Sequence, residues 1–214
     1  MSAPYLTSNG PKAMTDAPTI DGLVASRICH DLISPVGALG NGLELVSLAG
    51  AVSADGEEMA LVADCAKAAR DALSFLRIAF GANAAGGEVG WLELSDAADP
   101  YMAPRRINLA WPEMSGSLPR AEAKARLLLL LCAQDGMPRG GFASATPAPR
   151  LSWRATGTAL QPDKVEEKMR AIRGPEDCGA GDAHYIVLRE LARALGREPF
   201  ILHEGFEMEL GLRG

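Results

Sequence analysis

From Ile20 to Leu48 the apolar residues Val24, Ile28, Leu32, Val36, Leu39, Leu43 and Val46 recur every three or four positions. That spacing predicts a long helix with one continuous buried stripe. The stretch Gly50 to Gly56 breaks the pattern, and a second helix follows with Val62, Cys65, Ala69, Leu73, Leu76 and Phe80 on one face. The glycine-rich run Gly81 to Gly87 ends it. Two long helices joined by a short turn make an antiparallel hairpin. A lone hairpin cannot cover its own apolar stripes, and pairing with a second copy into a four-helix bundle is the simplest cover.

After Gly87 the period changes. Short β-like runs fall at Arg106–Trp111, Gly141–Ala145, Leu151–Thr156, Phe200–His203 and Phe206–Leu212. Helical patterns lie between them at Pro119–Gln134, Pro162–Ile172 and Asp182–Leu195. Strands and helices mixed in one segment predict an α/β sandwich, a sheet covered by helices on one face. The expected fold class is therefore α+β. Its expected parts are a loose tail over 1–18, a helical hairpin over 19–86 and an α/β domain over 87–214. The tail has no periodicity, and Met14-Thr15-Asp16 would serve as a native start, leaving 1–13 as added residues.

Composition narrows the class. The net charge of −6 argues against nonspecific binding to nucleic acid or an anionic membrane. The apolar run Leu127 to Cys132 is far too short to span a bilayer, and the N-terminus lacks a signal-peptide layout. Four cysteines at 29, 65, 132 and 178 form no CxxC pair, so neither zinc nor a disulfide scaffold is indicated. Cys29 and Cys65 read as small buried helix residues, and a reducing cytoplasm fits best.

Candidate chemistry concentrates at His30. At roughly 100° per residue it points about 180° from the apolar stripe, and Arg27, Ser34, Gly37 and Asn41 share its polar face. Small residues at 34 and 37 leave room for a partner to approach. Pro35 removes a donor to the Asp31 carbonyl and predicts a kink there. A neutral imidazole is a nucleophile that can hold a phosphoryl group as a phosphoramidate, and the Asp31 carboxylate can orient the ring. Phosphoryl transfer needs mostly positioning and charge neutralisation, so an exposed histidine facing a partner's Mg²⁺ site suffices. The plainer reading is an unengaged surface histidine beside a helix kink. His184 and His203 read as structural or surface residues.

The string Ile28-Cys29-His30-Asp31-Leu32-Ile33-Ser34-Pro35-Val36-Gly37-Ala38, then Asn41-Gly42-Leu43-Glu44-Leu45, resembles an H-box. It is similar to the phosphoacceptor helix of histidine kinases, and more closely to ChpT-type histidine phosphotransferases of alphaproteobacteria. The resemblance covers the chain after residue 18; beyond the H-box it is mainly one of layout, including Pro138-Arg139-Gly140-Gly141. It implies a homodimeric four-helix bundle and a C-terminal domain shaped like the kinase ATP-binding (Bergerat) domain. It also implies that His30 relays a phosphoryl group from the receiver aspartate of a CckA-like hybrid kinase to the aspartates of CtrA-like and CpdR-like response regulators, in cell-cycle or motility control. Arg27, Ser34 and Gly37 are then expected at the receiver interface.

A live kinase of this fold needs an Asn on its Mg²⁺-holding helix, yet the chain's asparagines are 9, 41, 83 and 108, outside Glu122–Gln134. Asp177-Cys178-Gly179-Ala180-Gly181 does match DxGxG. A helix follows at once where a lid and a second glycine box belong, so the match reads as a turn and helix start. No cofactor of its own and no ATP are expected, Mg²⁺ coming from the partner receiver. The leading reading is a phosphorelay histidine phosphotransferase. An active ATP-dependent histidine kinase and a non-catalytic dimeric receiver-binding adapter are the alternatives.

Overall fold

The computed structural model describes residues 17–49, 56–82, 87–112 and 115–214. The tail up to residue 16, the hairpin turn and the expected domain boundary near Gly86 lie outside the described residues. Helix α1 spans Ile20–Ala49 and runs on through Pro35; α2 spans Glu57–Phe80. They pack antiparallel: Gly42 opposes Val62 near the turn, whereas Asp31 and Phe75 both meet Tyr101 at the other end. A Cβ at Gly42 would stand 2.9 Å from Val62 Cγ2, so glycine permits the close crossing.

The chain then forms strand β1 (Glu88–Gly90), helix α3 (Trp91–Met102), β2 (Ile107–Ala110), β3 (Ser117–Pro119) and α4 (Arg120–Asp135). Strands β4 (Gly141–Ala145) and β5 (Leu151–Thr156) follow, then α5 (Pro162–Ala171), α6 (Ala183–Ala194), β6 (Glu198–Glu204) and β7 (Glu207–Arg213). Five strands make a mixed sheet in the order β2-β4-β5-β7-β6, parallel only between β2 and β4. Alternation along β5 and β7 sets the faces. Leu151, Trp153 and Ala155 pair with Leu212, Leu210 and Met208, all buried beneath the helices. Arg154 pairs with Glu209 on the opposite face, joined by a 3.2 Å ion pair. The predicted one-sided sandwich is the observed one.

Helix α4 sits between the sheet, α2 and α6, which explains why its Leu127–Leu131 run has no polar side. Each fully buried leucine contributes about 1.5–3 kcal/mol relative to exposure. One apolar core runs without a break from Phe75, Leu76 and Ala79 of α2 through α4 to Trp153 on the sheet. The turn after α4 demands glycine at Gly140 (φ +80°), where a Cβ would strike the Arg106 carbonyl oxygen.

Several expectations need correction. Residues 88–105 carry β1 and α3, neither anticipated, and β1 pairs with β3 in a separate two-stranded sheet. The α1 stripe is not continuously buried in this chain. Leu23 is buried, but Val36 and Leu43 are more than half exposed toward the turn. Cys29 is exposed and Cys65 half-buried, so neither belongs to the core; Cys132 does.

Candidate functional site around His30

His30 projects from the middle of α1 with its side chain 82 % exposed, while the neighbouring Asp31 side chain is only 7 % exposed. Asp31 is held on every side. Its Oδ2 accepts a hydrogen bond from Tyr101 Oη on α3 at 2.6 Å and another from Arg27 Nε, one turn back on α1, at 3.0 Å. Its Oδ1 faces His30 Nδ1 at 3.2 Å. Burial opposes the charge on Asp31, but the Tyr101 hydroxyl, Arg27 and His30 together hold its carboxyl below the usual carboxylate range. Burial pushes the Tyr101 phenol up to about 12, so it stays a donor.

An ionised carboxylate can only accept. The His30 nitrogen that faces it is therefore the N–H nitrogen, leaving Nε2 with its lone pair on the exposed edge of the ring. A buried acid fixing the tautomer of an accessible imidazole makes a nucleophile aimed at solvent. Beside it, α1, α2 and the end of α3 enclose a groove of about 630 Å³, lined among others by Asp31, Ser34, Pro35, Lys67, Asp71 and Tyr101.

Arg27 departs from expectation. Helical phase puts it on the solvated polar face with His30, yet its side chain is 9 % exposed. The guanidinium reaches across to the C-terminal half of the chain, donating to the Gly181 carbonyl at 2.7 Å and lying 3.4 Å from His184 Nδ1. Residues flanking α6 cover it, a long-range contact that helical phase on α1 alone does not reveal. Burial outweighs every other influence on His184 and keeps it neutral. Its Nε2 faces Asp135 at 3.6 Å, and Asp135 accepts from Lys168 Nζ at 3.0 Å and Tyr185 Oη at 3.2 Å. Burial opposes ionisation of Asp135, but His184 and the Lys168 ammonium hold its carboxyl well below the usual range.

Ser34 and Gly37 are exposed on α1 as the helical phase predicts, Ser34 within the groove. Sequence reasoning misses Tyr101; of its two alternatives for His184, structural or surface, the structure supports the first, with the ring fully buried against Arg27 and Asp135. A usable signal for Tyr101 was the Trp91, Leu94, Ala98, Tyr101 spacing, which marks it as an inward residue of a helix.

The DxGxG match is engaged locally. Asp177 Oδ2 accepts the backbone N–H groups of Arg173 and Gly174, at 3.0 and 3.1 Å, and Gly181 offers its carbonyl to Arg27. Helix α6 begins two residues later. Among the described residues, Asp163, Glu166 and His203 could gather around a metal ion, on the exposed side of α5 and β6 rather than near His30.

The described residues thus join a helical hairpin, with an exposed histidine beside a buried acid, to a one-sided α/β sandwich. Residues 92–205 match the family model of the histidine phosphotransferase C-terminal domain, over half of the chain, and the chain belongs to that family. It is 40% identical over 123 residues to protein phosphotransferase ChpT of Brucella abortus (strain 2308), 57% of either chain, so the match spans little more than half of that relative. It is also similar to a bacterial phosphotransferase of known structure, at 30% identity and a TM-score of 0.74, covering 91% of this chain and 95% of the other. No described helix is long and apolar enough to cross a membrane.

Proposed function

We propose that this chain is a phosphorelay histidine phosphotransferase in which His30 carries the phosphoryl group. The single observation behind this reading is the exposed His30 ring held by a buried, ionised Asp31 through Nδ1. The family match starts at residue 92, beyond the hairpin, so the role of His30 rests on that geometry. In the forward step the Nε2 lone pair attacks the phosphorus of a receiver's aspartyl phosphate. The P–O bond to the acyl oxygen breaks, and the receiver carboxylate leaves with the electron pair. Asp31 stabilises the positive charge that the ring then carries. In the second step a response-regulator aspartate attacks the same phosphorus, and Nε2 regains its lone pair.

The partners of this reading are receiver domains, of a CckA-like hybrid kinase upstream and CtrA-like and CpdR-like regulators downstream, each bringing its own Mg²⁺. The groove beside Asp31, with Ser34 on its wall and Gly37 exposed one turn further on, offers a docking surface. A homodimer is part of the reading. Ile33, Val36, Leu43 and Leu48 are all more than half exposed on α1, and a second hairpin would cover such a face in a four-helix bundle. The local use of Asp177 and Gly181 supports a chain that does not use ATP. Cytoplasmic residence follows from the receivers it would serve.

The test mixes the full chain with a receiver carrying radiolabelled aspartyl phosphate, without ATP, beside His30→Ala. Acid-labile label on the wild type and none on the variant is the expected result. Labelling from ATP alone would favour a kinase, and receiver binding with no label by either route an adapter.

A further inference from the structure

We infer that Tyr101 is a positioning residue for phosphotransfer: reaching Asp31 from α3, it clamps that acid together with Arg27 and so fixes which nitrogen of His30 reacts. The inference rests on His30 being the phosphoacceptor. Asp31 could turn either oxygen toward the ring, or swing away from it, since its χ angles alone favour no single arrangement. Here Oδ2 is fully engaged by two donors arriving from different elements, Tyr101 Oη on α3 at 2.6 Å and Arg27 Nε on α1 at 3.0 Å. Only Oδ1 is left for His30, and it stands 3.2 Å from Nδ1.

Both donors are themselves locked. The Tyr101 ring lies 3.9 Å from that of Phe75, 6° from parallel, and Arg105 stacks over it at 3.9 Å. Arg27 is pinned by the Gly181 carbonyl and by His184. The segment that resembles a nucleotide-binding loop is thereby put to work on the phosphoacceptor's acid. The C-terminal half acts on the chemistry without contacting the transferred group. Tyr101 neither donates to nor accepts from the phosphoryl group; its hydroxyl proton stays on oxygen throughout, and the bonds made and broken are those at His30 Nε2.

Tyr101→Phe isolates the hydroxyl, because the stacked ring remains. Four readouts on the full-length chain separate positioning from simple structural support. Single-turnover transfer from a phosphorylated receiver is expected to slow about tenfold, the scale of an orienting hydrogen bond to a catalytic group. Receiver affinity is expected to hold, and the thermal midpoint to fall by only a few degrees for the loss of one hydrogen bond to the carboxylate. Nitrogen-15 shifts of the His30 ring are expected to move from a dominant Nδ1–H tautomer in the wild type to a mixture in the variant. Arg27→Lys, which keeps the charge but loses the fork, should shift the tautomer in the same direction. An unchanged rate and tautomer in Tyr101→Phe would overturn the inference, as would slower transfer accounted for wholly by weaker receiver binding. The tautomer is read without any transfer. A wild type that takes no label therefore sinks the phosphotransferase reading, while the shifts still decide whether Tyr101 orients the ring.

Discussion

Asp31 carries the balance between stability and chemistry at the site. A carboxylate only 7 % exposed would be costly by itself, and it is retained because Tyr101, Arg27 and His30 supply three hydrogen-bond partners. Asp31→Asn places an amide where the acceptor stands and can present N–H to Nδ1, favouring the wrong tautomer. Transfer from a phosphorylated receiver should fall about ten- to a hundredfold with receiver affinity preserved, measured by rapid quench and titration. His184 supports a pH prediction. Its folded value is depressed by burial, so the unfolded chain binds the proton more readily. Stability is full above the unfolded imidazole value of about 6.5 and declines as pH falls below it. Asp31 and Asp135, also depressed, add a second decline that begins near the unfolded carboxylate value of about 4. Urea midpoints followed from pH 8 to 5 should slope downward in the wild type and lie flatter in His184→Gln. An equal slope in both would place the titration elsewhere.

At the scale of elements, helix α1 divides into two regimes. Its first turns pack on α6 and the segment before it, whereas Val36, Leu43 and Leu48 nearer the hairpin turn are left open. Replacing Val36 and Leu43 together by Glu should leave the secondary structure intact and give a monomer by light scattering, where the proposed bundle predicts a dimeric wild type; a monomeric wild type would refute the bundle. These elements also show what sequence reveals. The period-3.6 stripes of α1 and α2 and the alternating strands β4 and β5 were legible because one face of each is apolar. Helix α3 was not, since Pro100 within it and Gly90 before it are breaker signals that tertiary packing of Trp91, Leu94, Ala98 and Tyr101 overrides. His30 and Asp31 could be found from local spacing. Tyr101 and the burial of Arg27 could not, because each depends on contacts that lie 70 and 154 residues apart along the chain.

Across the whole molecule, the hairpin and the sandwich share one core, so the histidine is mounted on the C-terminal half rather than tethered to it. Arg126 on α4 illustrates how that core tolerates charge. It is fully buried, donates to the Thr146 and Arg150 carbonyls at 3.0 and 2.8 Å, and lies 4.8 Å over the Trp91 ring. Burial lowers its guanidinium value to about 10, which still leaves it charged at neutral pH. Arg126→Ala should lower stability by about 2–4 kcal/mol in urea denaturation, from the cavity and the two carbonyls left short. A loss below about 0.5 kcal/mol would mean that water or neighbouring side chains replace it freely. Since the site elements are fixed by many other contacts, the folded fraction of that variant should still take label.

The most direct measurement of the central claim is phosphorus NMR of the full chain after mixing with a phosphorylated receiver and no nucleotide. The account predicts a phosphoramidate resonance in the wild type that decays when a second receiver is added and is absent from His30→Ala. A resonance that persists in His30→Ala, or none in a wild type that still binds the receiver, would contradict it.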